Sequence, residues 1–297
     1  MADSEWLASR FEEQRPRLRA VAYRMLGSFA DADDAVQNAW ERASRAGADD
    51  IENLSGWLTT IVARVCLNML RTRNTRREES LEARVPDPVV SPGEGLDPEQ
   101  EALLADAVGL ALQVVISALA PAERLAFVLH DLFDVPFAEI GSLTGRTPQA
   151  ARQLASRARR RVRDAGNPAP ERDLAVQRAV VEAFFAAGRS GDFDALLAVL
   201  DPDVVLRADF GPGAAARSAV FRGAHAVASQ ARMGSSSVAR VHLVLVNGVP
   251  GAVVTVHGKP FALMAFTVSA GRIVEIDAIG DRDRVARLAG HILAGSG

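Results

Sequence analysis

The chain has 297 residues, 48% of them apolar, enough for two or three domains with cores of ordinary size. A formal net charge of −3 excludes a chain-wide nucleic-acid signature, so any DNA contact must come from local patches. The single cysteine, Cys66, excludes an internal disulfide and fits a reducing compartment. No apolar run reaches membrane-spanning length, no signal-peptide pattern opens the sequence, and no metal-ligand spacing points to a metal or another cofactor.

Residues 1–80 are patterned as helices. Ala30-Asp-Ala-Asp-Asp-Ala-Val-Gln-Asn-Ala-Trp-Glu-Arg42 opens with clustered acids, which suit a helix N-terminus, and predicts a polar helix face for a partner. Asn53 to Arg77 predicts a further helix with an apolar stripe of Trp57, Leu58, Ile61 and Val65 that runs into Arg71, Arg73, Arg76 and Arg77. Apolar and aromatic positions beside arginines suit capture of unstacked bases of single-stranded DNA. Core packing is the better reading of Trp57 and of Cys66, while the terminal arginines fit phosphate contact and plain solvation equally well.

Residues 81–98 contain four prolines, and residues 81–105 hold six acids against one arginine. This composition predicts an acidic, extended linker. Residues 99–165 return to helical patterning and end in the most informative stretch of the chain. Phe137, Ile140 and Leu143 give a short helix one apolar face, with Pro136 at its start and Gly145 suited to a left-handed stop. Thr147 then caps a second helix with Pro148 at its first position. From Arg146 to Arg163 there are seven arginines and no acid.

That order is a helix-turn-helix whose second helix enters the DNA major groove. Ala151, Leu154 or Ala155, Ala158 and Val162 form its inward stripe; Gln149, Ala150, Arg152, Gln153 and Arg157 face outward where base edges are read. Arg159, Arg160 and Arg161 suit phosphates.

Gly166-Asn-Pro-Ala-Pro170 is a second break, after which the period changes. Helical segments near 173–188 and 192–200 precede β-rich runs at 204–208, 239–246, 252–257, 262–268 and 272–277, with Asn247-Gly248 and Ala270-Gly271 as hairpin turns. The expectation is an α+β domain with a mostly antiparallel sheet.

Asp33-Asp34-Ala-Val-Gln37, Trp57-Leu-Thr-Thr-Ile61, Leu119-Ala-Pro-Ala-Glu-Arg124 and the helix-turn-helix stand in one order. In that order they resemble the two-domain σ factors of the extracytoplasmic-function group over residues 10–165. Residues 173–293 resemble a SnoaL-like, NTF2-like cone domain, as in the σ factor J-like subgroup with a fused C-terminal extension. The resemblance implies two all-α σ domains, the second a helix-turn-helix, followed by an α+β SnoaL/NTF2-like cone domain. Residues 1–80 would be region 2, 81–98 the linker, 99–165 region 4 and 173–293 the regulatory domain.

The implied function is an alternative σ factor that binds core RNA polymerase in the cytoplasm, at the β′ clamp helices and the β flap, and directs promoter-specific initiation. Asp33, Asp34, Gln37, Asn38 and Glu41 would bind polymerase, with Asn38 standing where an acid is usual. Arg64, Asn68, Arg71, Arg73, Arg76 and Arg77 would hold the melted −10 element. Thr147, Gln149, Ala150, Arg152, Gln153, Arg157 and Arg160 would serve the −35 duplex, and the acidic linker would thread through polymerase between the two sites. The cone domain would dock intramolecularly on the σ domains.

Asp209, Arg217, His225 and Asp277, with His242 and His257, are the candidate pocket or regulatory residues of the cone; no nucleophile–base motif accompanies them, and no enzymatic activity is expected. The subgroup's Trp-Leu-Pro-Glu-Pro-like string is reduced here to Gly166-Asn-Pro-Ala-Pro170. Its glycine-rich aspartate loop is Asp209-Phe-Gly-Pro-Gly-Ala-Ala-Ala-Arg217, and its Asn-Pro-Asp-Lys-Leu-like string is Gly280-Asp-Arg-Asp-Arg-Val285. These departures predict altered docking contacts. Two other classes remain open: a conventional helix-turn-helix regulator that binds duplex alone, and a small-molecule enzyme with a DNA-binding fusion.

Overall fold

A computed structural model describes residues 2–46, 51, 53–74, 85–92, 110–164, 171, 173–211, 218–234 and 238–294. The chain divides into two units, Met1–Glu79 with Val115–Gly166, and Ser80–Val114 with Asn167–Gly297.

The first unit is helical. Helices α1 (Ala2–Leu26), α2 (Phe29–Ala46) and α3 (Leu54–Asn74) pack on one another. In α2 the buried residues Ala32, Ala35, Val36, Ala39 and Ala43 recur at three- and four-residue steps, so small side chains let it lie close to its neighbours. Asn53 caps α3, its Oδ1 accepting the Gly56 N–H at 2.9 Å. The inward face of α3 is Leu58, Val62, Val65 and Cys66, whereas Trp57 and Ile61, expected in the same stripe, sit half-buried at its edge.

Helices α4 (Leu110–Ala118) and α5 (Pro121–Phe127) and a π-helical turn (Val128–Leu132) lead to α6 (Phe137–Thr144) and α7 (Pro148–Asp164). Arg124 ties this part to the first helices: its Nη1 donates to the Met25 carbonyl at 2.8 Å. Leu18, Met25, Leu67, Leu125 and Leu129 are among the fully buried side chains of the unit.

The second unit is α+β. Helix α8 (Leu174–Ser190) is capped by Asp173 and ended by Gly191 at φ 71°; α9 (Phe193–Val199) is capped by Asp192. The strands are β1 (Val90–Pro92), β2 (Leu200–Asp209), β3 (Ala219–Arg222), β4 (Ala239–Val246), β5 (Val249–Val256), β6 (Lys259–Ser269) and β7 (Arg272–Ile279). Helix α10 (Ala224–Gly234) follows β3 and α11 (Arg282–Ala294) follows β7. The seven strands form one sheet in the order β1-β4-β5-β6-β7-β2-β3, antiparallel except for the β2–β7 pair.

Alternation along the strands gives the sheet two apolar faces. Phe266, Val268 and Ile276 pack with Val181, Phe184 and Leu196 of α8 and α9, while Leu263 and Ala265 pack with Val285 and Ala289 of α11 and with Val85, Val90 and Leu110.

Three further points differ from the sequence expectations. The stretch read as a free linker supplies β1: Val90, Ser91 and Pro92 pair with Val246, Leu245 and Val244 at the sheet edge, where a proline costs no ladder bond. Leu110 at the start of α4 likewise packs in the second unit rather than with the helix-turn-helix. His257 is not a strand residue but the first residue of a His257-Gly258 hairpin turn at φ 51°. Residues 81–84 and 93–98 of the linker, and 166–170, lie outside the described residues.

Candidate functional site

The helix-turn-helix is built on a tight corner. Gly145 adopts φ 67°, ψ 34°, and the Arg146 N–H returns to the Gly141 carbonyl at 2.8 Å. A Cβ on Gly141 would stand 2.8 Å from the Arg146 carbonyl oxygen, so the two helices approach closely enough to require glycine there. Thr147 Oγ1 accepts the Ala150 N–H at 3.2 Å and starts α7. Ala151, Leu154, Ala155 and Ala158 are buried and Val162 half-buried.

Gln149, Arg152, Gln153, Arg157 and Arg160 are exposed, and Ala150 is half-buried. Arg152 also lies over the Phe137 ring, its Cζ 5.2 Å from the centroid.

Not every arginine of α7 faces outward without a protein partner. Glu123, whose side chain is only 8% exposed, accepts Arg157 Nε at 3.0 Å and Arg161 Nη1 at 2.6 Å. Arg159 Nε pairs with Asp131 at 2.8 Å. Arg157, read from the sequence as a base reader, is thus placed four residues before Arg161 on the helix face that meets α5, and there it joins a charge cluster. Glu123 lies in the Leu119–Arg124 motif; it was not singled out, because its partners come 34 and 38 residues later.

On α2 the exposed face contains Asp33, Asp34, Gln37, Asn38 and Glu41. Asp33 is already bound to Arg19 at 2.7 Å, and the Asn38 amide donates to the Asp34 carbonyl at 2.7 Å. On α3 Arg64, Asn68 and Arg71 are exposed at i, i+4 and i+7, one continuous stripe. The side chain of Arg73, and Arg76 and Arg77, lie outside the described residues.

The second unit holds a separate constellation. Asp209, 5% exposed, accepts the Val85 N–H at 3.0 Å, Arg284 Nη1 at 2.9 Å, the Gly211 N–H at 3.0 Å and the Ser218 hydroxyl at 3.2 Å. Arg284 also donates to the Asp87 carboxylate and the Val85 carbonyl. At the other end, Asn247 exchanges two bonds with Val89: its side-chain oxygen accepts the Val89 N–H and its own N–H reaches the Val89 carbonyl, both at 2.8 Å. Residues 85–92 are therefore clamped at both ends.

Val85-Pro-Asp-Pro88 carries the aliphatic, proline, acid, proline order of Leu-Pro-Glu-Pro, and the aspartate loop and the Gly280–Val285 string hold it. Val85, Asp87, Asn247 and Arg284 were not singled out as site residues.

The cone also encloses a cavity of about 670 Å³. Its walls are apolar, with Phe184, Phe185, Phe221 and Met264 among them, and among the described residues Arg189, Gln230 and Arg282 are its polar lining side chains. Among the described residues, none of the expected pocket candidates lines it. Asp209 and Asp277 alternate with the lining residues Ala208 and Ala278, so their carboxylates leave the opposite face of the sheet.

Asp277 is instead buried beside Arg207, whose Nη1 is 3.2 Å away and also pairs with Glu275; burial pushes the Asp277 carboxyl up to about 6 against the pull of that guanidinium. His225 packs against Phe193, His242 Nε2 meets the Thr255 hydroxyl at 3.1 Å, and Arg217 lies outside the described residues.

With this geometry in view, comparison with known proteins is decisive. The Sigma-70 region 2 family model matches residues 10–76, and the Sigma-70, region 4 model matches residues 109–162. The ECF RNA polymerase sigma factor SigJ of Mycobacterium tuberculosis is 38% identical over 254 residues, covering 82% of this chain and 80% of the relative. A probable ECF RNA polymerase sigma factor, SigI of the same species, is 32% identical over 280 residues, 94% of each chain. The crystal structure of M. tuberculosis SigJ superposes with a TM-score of 0.71 at 34% identity, covering 93% of this chain and 97% of that one. The chain belongs to the extracytoplasmic-function RNA polymerase σ factors, alternative subunits that bind core polymerase and promoter DNA and direct transcription initiation.

Proposed function

We propose that this σ factor carries its own regulator, and that the C-terminal domain acts by holding the linker between the two promoter-binding regions. The observation that carries this reading is the clamp: Val85 to Pro92 is an edge strand of the C-terminal sheet, fixed by Asp209, Arg284 and Asn247. In polymerase the linker would have to thread between the −10 and −35 sites, so a strand held in the sheet and a strand free to thread are competing states.

The exposed face of Asp33, Asp34, Gln37, Asn38 and Glu41 is assigned to the β′ clamp helices. Arg64, Asn68 and Arg71, with Arg73, Arg76 and Arg77 beyond them, are assigned to the melted −10 strand. The α7 face of Gln149, Ala150, Arg152, Gln153 and Arg160 is assigned to the −35 duplex, with region 4 resting on the β flap. Arg157, itself about half exposed, joins that face when DNA phosphates outcompete Glu123, which keeps Arg161 as its partner.

The C-terminal domain is assigned a regulatory role and not a catalytic one. Among the described residues, the cavity lining includes no carboxylate, imidazole, thiol or hydroxyl of the kind that supplies acids, bases and nucleophiles. The site of action is the cytoplasm, where core polymerase works.

The test is reconstitution with core RNA polymerase on a −35/−10 promoter. The expected result is co-elution with the core and promoter-dependent transcripts, with transcript yield changed by Asp87→Ala. A transcript yield indifferent to Asp87→Ala overturns the regulatory role of the clamp, and failure to bind core at moderate salt overturns the contact assignments.

A further inference from the structure

We propose that the apolar cavity of the C-terminal domain binds a small molecule with an apolar body and one anionic group, and that occupancy is transmitted to the linker clamp through Phe210 and the Gly280–Arg284 segment. It rests on the clamp having a regulatory role.

The size and lining define the ligand class. About 670 Å³ lies within the range of small-molecule sites. Aromatic and aliphatic walls reward apolar surface, and a buried apolar body needs no polar partner there. The charged lining side chains among the described residues, Arg189 and Arg282, are both cationic and both exposed, and half-buried Gln230 adds an amide. Arg282 Cζ sits 5.6 Å over the Phe261 ring, itself a lining residue 36% exposed, so a cation is held at an open part of the wall. Two cations and, among the described lining residues, no carboxylate select an anion such as a carboxylate or sulfonate.

The coupling follows from chain continuity. Phe210 lines the cavity, while the preceding residue, Asp209, binds Val85 and Arg284 from the other side of the sheet. Gly280 also lines the cavity, and its N–H donates to the Asp209 carbonyl at 2.8 Å. A Cβ on Gly280 would fall 2.5 Å from the Phe210 ring, so the two are in close apposition. Arg282 lines the cavity two residues before Arg284 reaches Asp87 and the Val85 carbonyl. A ligand that displaces the Phe210 ring or draws Arg282 inward therefore acts on both segments that grip the linker, and packed interfaces of this kind shift between discrete arrangements.

The experiment uses the full-length chain without polymerase. 8-Anilinonaphthalene-1-sulfonate, an aromatic body with one sulfonate, is titrated by fluorescence and calorimetry, with dodecanoate as a competing probe. Saturable one-to-one binding is expected, displaced by dodecanoate, lost in the cavity-filling variants Ala231→Phe and Ala262→Phe, and weakened about tenfold in Arg282→Ala. Near-UV circular dichroism establishes that each variant is folded.

At saturating probe, amide exchange at Val85 and Val89 should change at least threefold in the wild type and stay unchanged in Phe210→Ala. Absence of saturable binding, or binding indifferent to both filling variants, overturns the site. Binding with unaltered Val85 and Val89 exchange overturns the coupling. Binding and altered exchange alongside a transcript yield that ignores Asp87→Ala in the reconstituted holoenzyme would instead sink the regulatory role of the clamp, so the two failures are separable.

Discussion

Arg284 Nη1 stands 2.9 Å from Asp209 Oδ2 across 75 residues of sequence, and the same guanidinium spans Asp87 and the Val85 carbonyl of the linker. The three side chains are 12%, 6% and 17% exposed, so the charges are largely withdrawn from water and depend on one another. The net charge of the trio is negative, and the Val85, Gly211 and Ser218 donors on Asp209 offset the excess. A single cation thus joins the C-terminal helix, the aspartate loop and the linker.

Removing that cation should unfasten all three. Arg284→Ala leaves Asp209 buried without its cation and is expected to destabilise the C-terminal domain by about 3 kcal/mol. Asp87→Ala keeps the Arg284–Asp209 pair and should cost only about 1 kcal/mol, while accelerating amide exchange at Val85 and Val89. Urea denaturation with exchange mass spectrometry checks both; equal melting of the two variants would mean that the linker contact and the domain contact are not distinct.

How far the sequence carried depended on the distance between cooperating residues. The helix-turn-helix was legible because Gly145, Thr147 and the Ala151–Leu154–Ala155–Ala158 stripe act within a few residues of one another. The hairpins at Asn247-Gly248 and Ala270-Gly271 were legible for the same reason, with positive φ at both residues of each. Strand β1 was not. Prolines and acids gave it the composition of a linker, and the partners of Val85 lie 124 and 199 residues away. Acids and histidines suggest pocket chemistry from the sequence, yet none of those candidates among the described residues lines the cavity. Strand alternation, read from the same residues, puts Leu206 and Ala208 on one face and Arg207 and Asp209 on the other.

The α7 face yields a prediction about DNA. Arg152 and Arg160 are both exposed, but Arg152 sits in the N-terminal half of α7, beside Phe137, and Arg160 near its C-terminal end. Arg152→Ala is expected to change the preferred −35 base at one position by about 1–3 kcal/mol. Arg160→Ala should weaken all promoters alike and lower the salt slope of binding by about 1. Holoenzyme binding to a −35 substitution series at several salt concentrations separates the two; uniform loss in Arg152→Ala would refute its role as a base reader.

Gly141 yields a prediction about the corner itself. It has no need of a left-handed conformation, yet a Cβ there would press on the Arg146 carbonyl at 2.8 Å and on Pro148 N at 3.2 Å, both backbone atoms. Backbone cannot turn aside as a flexible side chain does. Gly141→Ala is expected to cost about 1–3 kcal/mol and to splay α6 from α7. Gly188→Ala, in a helix with open space around the position, should be neutral or slightly stabilising. Thermal denaturation of the two variants is the check, and equal melting temperatures would remove the steric argument.

Asp277 gives the pH dependence of the second unit. Its carboxyl is pushed up to about 6, chiefly by burial, with Arg207 opposing the shift. A carboxyl whose folded value lies above its unfolded value binds its proton more tightly in the native state, so its contribution is complete below about pH 4 and is lost as pH rises through 6. Asp277→Asn removes that loss and keeps the shape of the side chain, while Glu275 still pairs with Arg207. Relative to the wild type, the variant should therefore gain up to about 3 kcal/mol of stability between pH 4 and pH 7.5. Urea denaturation of both proteins across that range is decisive: a constant difference would show that Asp277 titrates alike in the folded and unfolded chains.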